Sequence, residues 1–317
     1  MRQSPTTSDF RYLPVRPRDV QWGLHVCGAG HAVIPPGGAY PPAGHPELYD
    51  FSWQKGRSLP EYQIVYIAAG EGMFETGVTG LQRIVAGTAL LLFPGVWHRY
   101  RPEKSVGWEE FWVGFNGEQV ERLVLNRFFS PDQPVLRSGL HESILSPFHV
   151  LMDRLWAAPA GFPHLIAANV LEILAAILAA TPEETHQLIL QGPRDVTALT
   201  DRVVSDALRV IWSGSHLQLS VASLAKLLHI TSRSLERRFQ DALGRTVREE
   251  ILRCRLDRVK RLLIDTDLSV SEIVSASGFS SPDAMTRAVQ KAEGATPLRL
   301  RKKLRAERAC SQRDRAT

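Results

Sequence analysis

Residues 220–244 read SVASLAKLLHITSRSLERRFQDALG, and residues 269–294 read SVSEIVSASGFSSPDAMTRAVQKAEG. Each stretch holds two short amphipathic segments around a tight turn, and a hydroxyl residue precedes the second segment as a helix cap. This is the pattern of a helix-turn-helix unit, whose second helix enters the major groove of DNA. One such pattern is a common accident in helical proteins, whereas two in series predict a domain that binds duplex DNA.

The first unit has the local chemistry of two capped helices. Ser220 is placed to cap the first helix and Thr231 the second, while Leu235 and Phe239, four residues apart, predict one buried face. The opposite face carries the predicted base contacts, which are Arg233, Ser234, Glu236, Arg237 and Gln240. Arginine can donate two hydrogen bonds to guanine, and glutamate can accept one from cytosine. The alternative is an ordinary solvated helix face.

The second unit repeats this arrangement with weaker residues. Ser281 is a predicted cap, and Pro282 occupies the first helical position, where its missing N–H costs nothing. Asp283, Thr286 and Arg287 are predicted to point outward from this helix. Asp283 is an acid facing a polyanion, so the first unit is expected to set sequence specificity.

The helix predicted over residues 247–264 connects the two units. Its cations are predicted to be exposed and to contact phosphates; they are Arg253, Arg255, Arg258 and Lys260. Two recognition helices on one rigid connector are expected to enter successive major grooves, about 34 Å apart.

Composition supports two domains and a nucleic-acid partner. The chain has 317 residues and a net charge of +5, of which residues 195–317 contribute +8 and the remainder −3. Three scattered cysteines predict neither a disulfide framework nor a zinc site. The first twenty residues have no apolar signal segment. Asn169 and Glu172 interrupt the most apolar helix, so the sequence predicts no membrane span and a cytoplasmic location.

The chain is predicted to change from strands to helices near residue 118. Short apolar runs punctuated by glycine over residues 20–116 predict a barrel or sandwich. Helical periodicity follows over residues 141–157 and 163–180, and the second helix is apolar on two faces. Either it forms a dimer interface or it is buried in a larger core. The predicted boundaries are a domain over 1–180, a linker over 181–195, a DNA-binding domain over 196–305 and a disordered tail over 306–317.

Residues 220–301 resemble the AraC/XylS family of transcription regulators. The resemblance is carried by Ala225, Leu228, Thr231, Leu235 and Phe239 in the first unit, and by the stretches RLDRVKRLL, GFSSPDAMTRAV and GATPLRLRK. Residues 62–116 resemble the family's sugar-sensing cupin-like barrel, through PEYQIVYIAAGEGMFE, VAGTALLLFPGVWHRYRP and WEEFWVGF. Together they imply an α+β chain with a cupin-like N-terminal barrel, a helical dimerisation segment and an all-α C-terminal domain. The resemblance implies that the second helix-turn-helix unit presents Pro282, Asp283, Thr286 and Arg287 to bases.

The resemblance also implies an effector pocket. Strand alternation places Trp108, Glu110 and Trp112 on one face. By similarity to the family's arabinose sensor, Trp112 is expected to stack on the sugar and Tyr100 to line the pocket, with Glu110 in place of a histidine. Arg57 is a candidate pocket arginine, and His98 a candidate hydrogen-bonding partner of the effector. Core filling is the alternative for each aromatic side chain.

A cupin-like fold also raises the possibility of a metal enzyme with a DNA-binding tail. The two-histidine motif of metal cupins is absent, and His98 alone cannot form a two-histidine, one-carboxylate site. No metal, cofactor or catalytic residue is therefore expected. The sequence predicts a homodimeric, effector-responsive activator of carbohydrate-use genes that binds promoter half-sites and RNA polymerase. A regulator sensing a non-sugar ligand is the other alternative.

Overall fold

The structure is a computed structural model that describes residues 7–42, 45, 49, 51–158, 161–192, 201–213 and 219–313. It divides into two compact units, residues 1–209 and 210–317. The first is rich in antiparallel sheet and the second is helical, so the predicted α+β fold class with two domains is confirmed.

Within the described residues, nine antiparallel strands form the sheet of the first unit, in the order β1-β2-β8-β4-β6-β9, with β5 and β7 on β4 and with β3 on β7. The strands are β1 (Thr7–Tyr12), β2 (His25–Ile34), β3 (Arg57–Ser58), β4 (Tyr62–Thr76), β5 (Gly80–Val85), β6 (Thr88–Leu92), β7 (Trp97–Pro102), β8 (Trp108–Asn116) and β9 (Val135–Leu136). The short helix α1 (Pro17–Gln21) lies between β1 and β2.

The long strand β4 pairs with two groups of neighbouring strands. Its first half pairs with β6 and β8, and its second half pairs with β5 and β7, with a register shift between Ile67 and Ala69. Gly70 follows this shift at φ +81, and a Cβ there would lie 2.2 Å from the carbonyl oxygen of Gly107. Only glycine permits this conformation and this approach of two backbones, which lets one strand bend between the two groups.

Among the described residues of the first unit, α2 (Glu118–Leu125) lies between β8 and β9, and α3 (Glu142–Ala157), α4 (Phe162–Ala180) and α5 (Glu183–Gln191) follow β9. The predicted helices over 141–157 and 163–180 correspond to α3 and α4. Phe148 of α3 and Ile173 of α4 belong to the same apolar core as Tyr66 and Phe111 of the sheet. This packing closes one side of the sheet.

Helix α4 is long and apolar enough to cross a membrane by length and composition alone. One of its apolar faces is buried in the core through Ile166, Val170 and Ile177. The opposite face is exposed, with Leu165 at 40% and Leu171 at 36% of their full accessibility. The core of the first unit thus accounts for one apolar face of α4 and leaves the other apolar face exposed.

The second unit begins within helix α6 (Arg202–Ser213). It continues through α7 (Val221–Leu227), α8 (Ser232–Leu243), α9 (Val247–Asp265), α10 (Val270–Ser277), α11 (Pro282–Glu293) and α12 (Pro297–Arg313). Ser220, Thr231 and Ser281 each accept a hydrogen bond from a backbone N–H of the helix that follows. The predicted caps are therefore confirmed, and with them the starts of α7, α8 and α11.

The two helix-turn-helix units have matching cores. Leu235 and Phe239 are the buried residues of α8, and Met285 and Val289 are those of α11, fifty positions later. Both helices end at a glycine with positive φ, Gly244 in one case and Gly294 in the other. The second helix-turn-helix unit thus repeats the packing of the first helix-turn-helix unit, although its surface residues differ.

Two predicted boundaries differ from the structure. Helix α5 lies inside the predicted linker over 181–195, and its Ile189 is buried in the core of the first unit. Helix α12 extends to Arg313, past the predicted start of a disordered tail at residue 306. Residues 193–195 and 314–317 lie outside the described residues. Composition alone predicted a linker where the structure has the short packed helix α5, because this segment holds few apolar residues.

Candidate functional site

A cavity in the first unit gathers most of the predicted effector residues. Arg57, Tyr100, Glu110 and Trp112 all line it. The wall also contains side chains that the sequence analysis did not identify, namely Tyr12, Tyr40, His45, Tyr49, Phe51 and Gln63. The cavity is therefore formed by strands β1, β4, β7 and β8 together with the irregular segment before β3.

Arg57 is held in the cavity wall by neutral groups. Its guanidinium donates to the hydroxyl of Tyr100 at 2.6 Å, to the side-chain oxygen of Gln63 at 3.3 Å and to the backbone carbonyl of Tyr49. The same group lies 4.6 Å above the ring of Phe51. Among the described residues, no carboxylate forms an ion pair with Arg57. Its charge is thus fixed in position and available to a ligand.

His98 is a support for Arg57 and lies behind the cavity wall. Its Nε2 accepts from Nε of Arg57 at 3.3 Å, so Nδ1 carries the proton and donates to the carbonyl of Val96 at 3.0 Å. Burial lowers the pKa of His98 to about 3, which keeps the ring neutral. The predicted direct contact between His98 and the effector is therefore wrong in this geometry.

Glu110 is the carboxyl group of the cavity and is 4% exposed. The Tyr40 hydroxyl donates to both of its oxygens, at 3.0 and 3.2 Å. Burial raises the pKa of Glu110 to about 7, although the Tyr40 hydrogen bond and the nearby charge of Arg57 act to lower it. Near neutral pH the cavity can therefore present either a carboxylate or a carboxylic acid to a ligand.

Trp112 lies among other aromatic rings. Its ring centroid is 5.5 Å from that of Tyr12 and 6.5 Å from that of Tyr49, and the side chain is 5% exposed. Gly30, its partner on β2, makes room for the indole, because a Cβ there would lie 2.7 Å from it. The predicted stacking residue is thus at the cavity, with its ring largely covered by Tyr12 and Tyr49.

The free space near these groups is divided in two. The inner cavity, which contains Glu110 and Trp112, has a volume of about 20 Å³. A separate outer cleft of about 370 Å³ lies beside it, bounded by residues 35–40, 51–54 and 100–104. Tyr40, Phe51 and Tyr100 line both spaces. These three rings form the wall between the inner cavity and the outer cleft.

Helix α8 of the second unit presents the predicted base contacts on its solvent side. Arg233, Arg237 and Gln240 are exposed, and neither arginine makes a hydrogen bond or ion pair with another described residue. Ser234 is half-buried. Glu236 accepts a hydrogen bond from the backbone N–H of Val247 at 3.1 Å. One oxygen of Glu236 thus helps to cap α9, which competes with its predicted contact to a base.

Helix α11 presents Pro282, Asp283 and Arg287 as exposed residues, while Thr286 is half-buried. Arg287 matches Arg237, and Asp283 matches Arg233, at a separation of fifty positions. The second recognition surface therefore carries one cation and one acid where the first carries two cations.

The cations of α9 are engaged within the fold, so the prediction that they are exposed is wrong. Arg258 is 8% exposed and donates to the carbonyl of Ala276 at 2.6 Å, and Arg255 donates to the carbonyl of Leu219 at 3.1 Å. The other two form ion pairs, Arg253 with Glu250 and Lys260 with Glu293. Helix α9 is packed on more than one side, and its arginines satisfy carbonyl groups at the ends of neighbouring segments.

Exposed cations of the second unit lie elsewhere. Lys226, Arg248, Arg299 and Lys302 are exposed and make no hydrogen bond or ion pair with another described residue. Sequence reasoning missed them because they fall at helix ends instead of along a continuous amphipathic face. Within the described part of the chain, no group of three histidine, cysteine or acidic residues is placed to hold a metal ion.

Comparison with known proteins matches both units. Residues 36–174 match the model of an AraC-like ligand-binding domain, and residues 224–303 match that of a helix-turn-helix domain. The Msm operon regulatory protein of Streptococcus mutans is 24% identical over 249 residues, which are 77% of this chain and 84% of that protein.

Two further relatives illustrate the range of the similarity. The lactose operon transcription activator of Staphylococcus xylosus is 26% identical over 68% of this chain and 75% of its own length. The solved DNA-binding domain of AdpA in complex with a target DNA is 28% identical, covers 33% of this chain and 95% of that domain, and has a TM-score of 0.32. The two matched domains show that the chain belongs to the AraC/XylS family of DNA-binding transcription regulators, with an AraC-like ligand-binding domain and a helix-turn-helix domain.

Proposed function

We propose that this regulator responds to a hydroxylated small molecule, of the sugar class, that binds in the cavity around Glu110 and Arg57. The observation that carries this proposal is a buried carboxyl and a half-buried guanidinium that line one cavity among aromatic rings. A carboxylate accepts from hydroxyl groups, a guanidinium donates to them, and aromatic faces contact the C–H surface of a sugar ring. The name of the lactose operon activator, a relative, also favours a carbohydrate.

The proposed role is activation of carbohydrate-use genes, by a cytoplasmic protein without enzymatic activity of its own. Arg233, Ser234, Glu236, Arg237 and Gln240 of α8 would contact bases, and so would Pro282, Asp283, Thr286 and Arg287 of α11. Contact with RNA polymerase belongs to the same proposal. Ligand binding and DNA binding would be linked by a coupling free energy.

A homodimer is the proposed assembly, with α4 at the interface. The exposed face of α4 combines Leu165 and Leu171 with the small residues Ala168 and Ala175. An apolar stripe of this kind on a helix surface is typical of an interaction site. Leu171→Glu is expected to convert a dimer into a monomer in sedimentation analysis, whereas an unchanged sedimentation coefficient contradicts this interface.

Thermal shift with D-xylose, L-arabinose, D-galactose, lactose and D-galacturonate tests the ligand proposal. A ligand that binds only the folded state raises the unfolding temperature by mass action. A shift with at least one sugar, abolished by Trp112→Ala, is the expected result. If a sugar stabilises Trp112→Ala as much as the wild type, the cavity is not its site.

A further inference from the structure

The carboxylate of Glu110 has unused hydrogen-bonding capacity. Among the described residues its single donor is the Tyr40 hydroxyl, which reaches both oxygens. Two carboxylate oxygens can accept about four hydrogen bonds. Because Glu110 is 4% exposed, bulk solvent contributes little to filling the remaining acceptor sites. A buried acceptor of this kind is costly unless another group binds it.

The space beside Glu110 is too small for a sugar. A volume of about 20 Å³ is enough for one water molecule. The outer cleft of about 370 Å³ lies within the usual range of small-molecule sites, which begins at about 300 Å³. Neither space alone offers both the volume and the polar groups. A ligand of sugar size can reach Glu110 only if the wall between them moves.

Tyr40 is the member of this wall that is bonded to Glu110. Tyr100 is fixed on β7 and by its hydrogen bond with Arg57, and Phe51 lies under the guanidinium of Arg57. Tyr40 lies on the irregular segment after β2, where its ring contacts those of Phe51, Tyr100 and Trp108. Gly37, three positions earlier, has a φ of 77, and its N–H donates to the carbonyl of Lys104 at 2.7 Å.

We propose that Tyr40 closes the effector site of the ligand-free protein, and that a hydroxyl of the effector replaces the Tyr40 hydroxyl on Glu110 when the inner cavity and the outer cleft join. This proposal rests on the proposed sugar-sensing function and adds a competition between the protein's own phenol and its ligand. The space beside Glu110 is only about 20 Å³, so the two hydroxyls compete for the same place although the carboxylate has further acceptor sites. Displacing the phenol reduces the observed affinity by the free energy of its hydrogen bond.

Tyr40→Phe gives a test whose sign distinguishes this role from that of an ordinary contact residue. The variant keeps the ring but removes the competing hydroxyl, and a hydrogen bond to a charged group is strong. Calorimetric titration with the five sugars named above is expected to show about tenfold tighter binding of one sugar than in the wild type. Tyr66→Phe is the matched control, because it removes a buried tyrosine hydroxyl bonded to Gly139 outside the cavity.

Each outcome decides a different point. Weaker or unchanged binding by Tyr40→Phe, with a sugar that the wild type binds, overturns the closing role and leaves the proposed function standing. If neither the wild type nor Tyr40→Phe binds any of the five sugars, both the proposed function and the proposed competition at Glu110 are overturned. Hydrogen exchange gives a check without ligand. The amides of residues 37–40 are expected to exchange several-fold faster in Tyr40→Phe than in the wild type, and at the wild-type rate in Tyr66→Phe. Equal exchange in Tyr40→Phe and the wild type overturns the closing role.

Discussion

Glu250 of α9 and Leu300 of α12 occupy the same buried position in the two helix-turn-helix units, with 0% and 2% of their surfaces exposed. Each is the fourth residue of the helix that follows a recognition helix. Glu250 accepts from the indole of Trp212 at 2.8 Å and forms ion pairs with Arg245 and Arg253. The first helix-turn-helix unit is thus stabilised by a carboxylate network, whereas the second helix-turn-helix unit has an apolar side chain at the same position.

Glu250→Ala is expected to destabilise the helical unit of residues 210–317 by about 1–3 kcal/mol, because it leaves the indole of Trp212 and two partly buried arginines without their acceptor. Glu250→Gln keeps an acceptor for Trp212 and is expected to cost less. Hydrogen exchange of peptides from α9 measures the loss within this unit. Protection in Glu250→Ala equal to that of the wild type would show that the network contributes nothing.

Stability is expected to depend on pH through Glu110. Its pKa is raised to about 7 by burial, above the value of 4.5 for an unperturbed carboxyl. The folded state therefore holds the proton more tightly, and stability falls as pH rises from 4.5 through 7. Glu110→Gln removes this penalty. The variant is expected to exceed the wild type in unfolding free energy at pH 8, by at most about 3 kcal/mol, and to equal it at pH 4.

Urea unfolding of both proteins at pH 4 and pH 8 checks this difference, with the first unit followed by tryptophan fluorescence. A constant difference between the two proteins at both pH values contradicts a buried, titrating Glu110.

Arg237→Ala and Arg287→Ala compare the two recognition helices at equivalent positions. A lost base contact costs about 1–3 kcal/mol and relaxes specificity at one base pair. We expect the larger change of specificity from Arg237→Ala, because α8 carries a second exposed arginine and α11 carries Asp283 instead. Selection of binding sites from a randomised DNA pool gives the base preferences of each variant. A uniform loss of affinity for all sequences identifies a phosphate contact.

Arg258→Ala and Arg248→Ala distinguish a cation that stabilises the fold from a cation that is available to contact DNA. Arg258 donates to the carbonyl of Ala276, so its loss is expected to lower the unfolding temperature without changing the salt dependence of DNA binding. Arg248 is exposed, and its loss is expected to reduce the slope of log K against log salt by about 1. Titrations of one DNA site at several salt concentrations supply both slopes. A reduced slope in Arg258→Ala contradicts the structural role given to it here.

Local chemistry was sufficient to predict the second unit. Ser220, Thr231 and Ser281 cap their helices as expected, because a cap depends on a few neighbouring residues. The surroundings of α9 were beyond such reasoning. A helical pattern shows which side chains share a face, but it does not show that further helices cover a second face. Arg258 was therefore assigned to phosphate, although it is buried against Ala276.

The cavity was predicted in part. Alternation along β8 identified Glu110 and Trp112, since a strand fixes which residues share a face. Tyr12, Tyr40 and Tyr49 were missed, because they come from segments whose approach to β8 depends on long-range packing. One local signal was present, the alternating glycines of β2 opposite Trp112, which mark a place where a large ring needs space.

The solvent side of α8 has a practical consequence for protein engineering. Arg233, Arg237 and Gln240 are exposed and make no side-chain hydrogen bond or ion pair with another described residue, whereas Leu235, Phe239 and Glu236 hold the helix in place. The side chains proposed to choose the DNA sequence can thus be exchanged with little change in stability. A library randomised at 233, 237 and 240 should yield folded regulators redirected to new promoters, provided that Glu236 is retained.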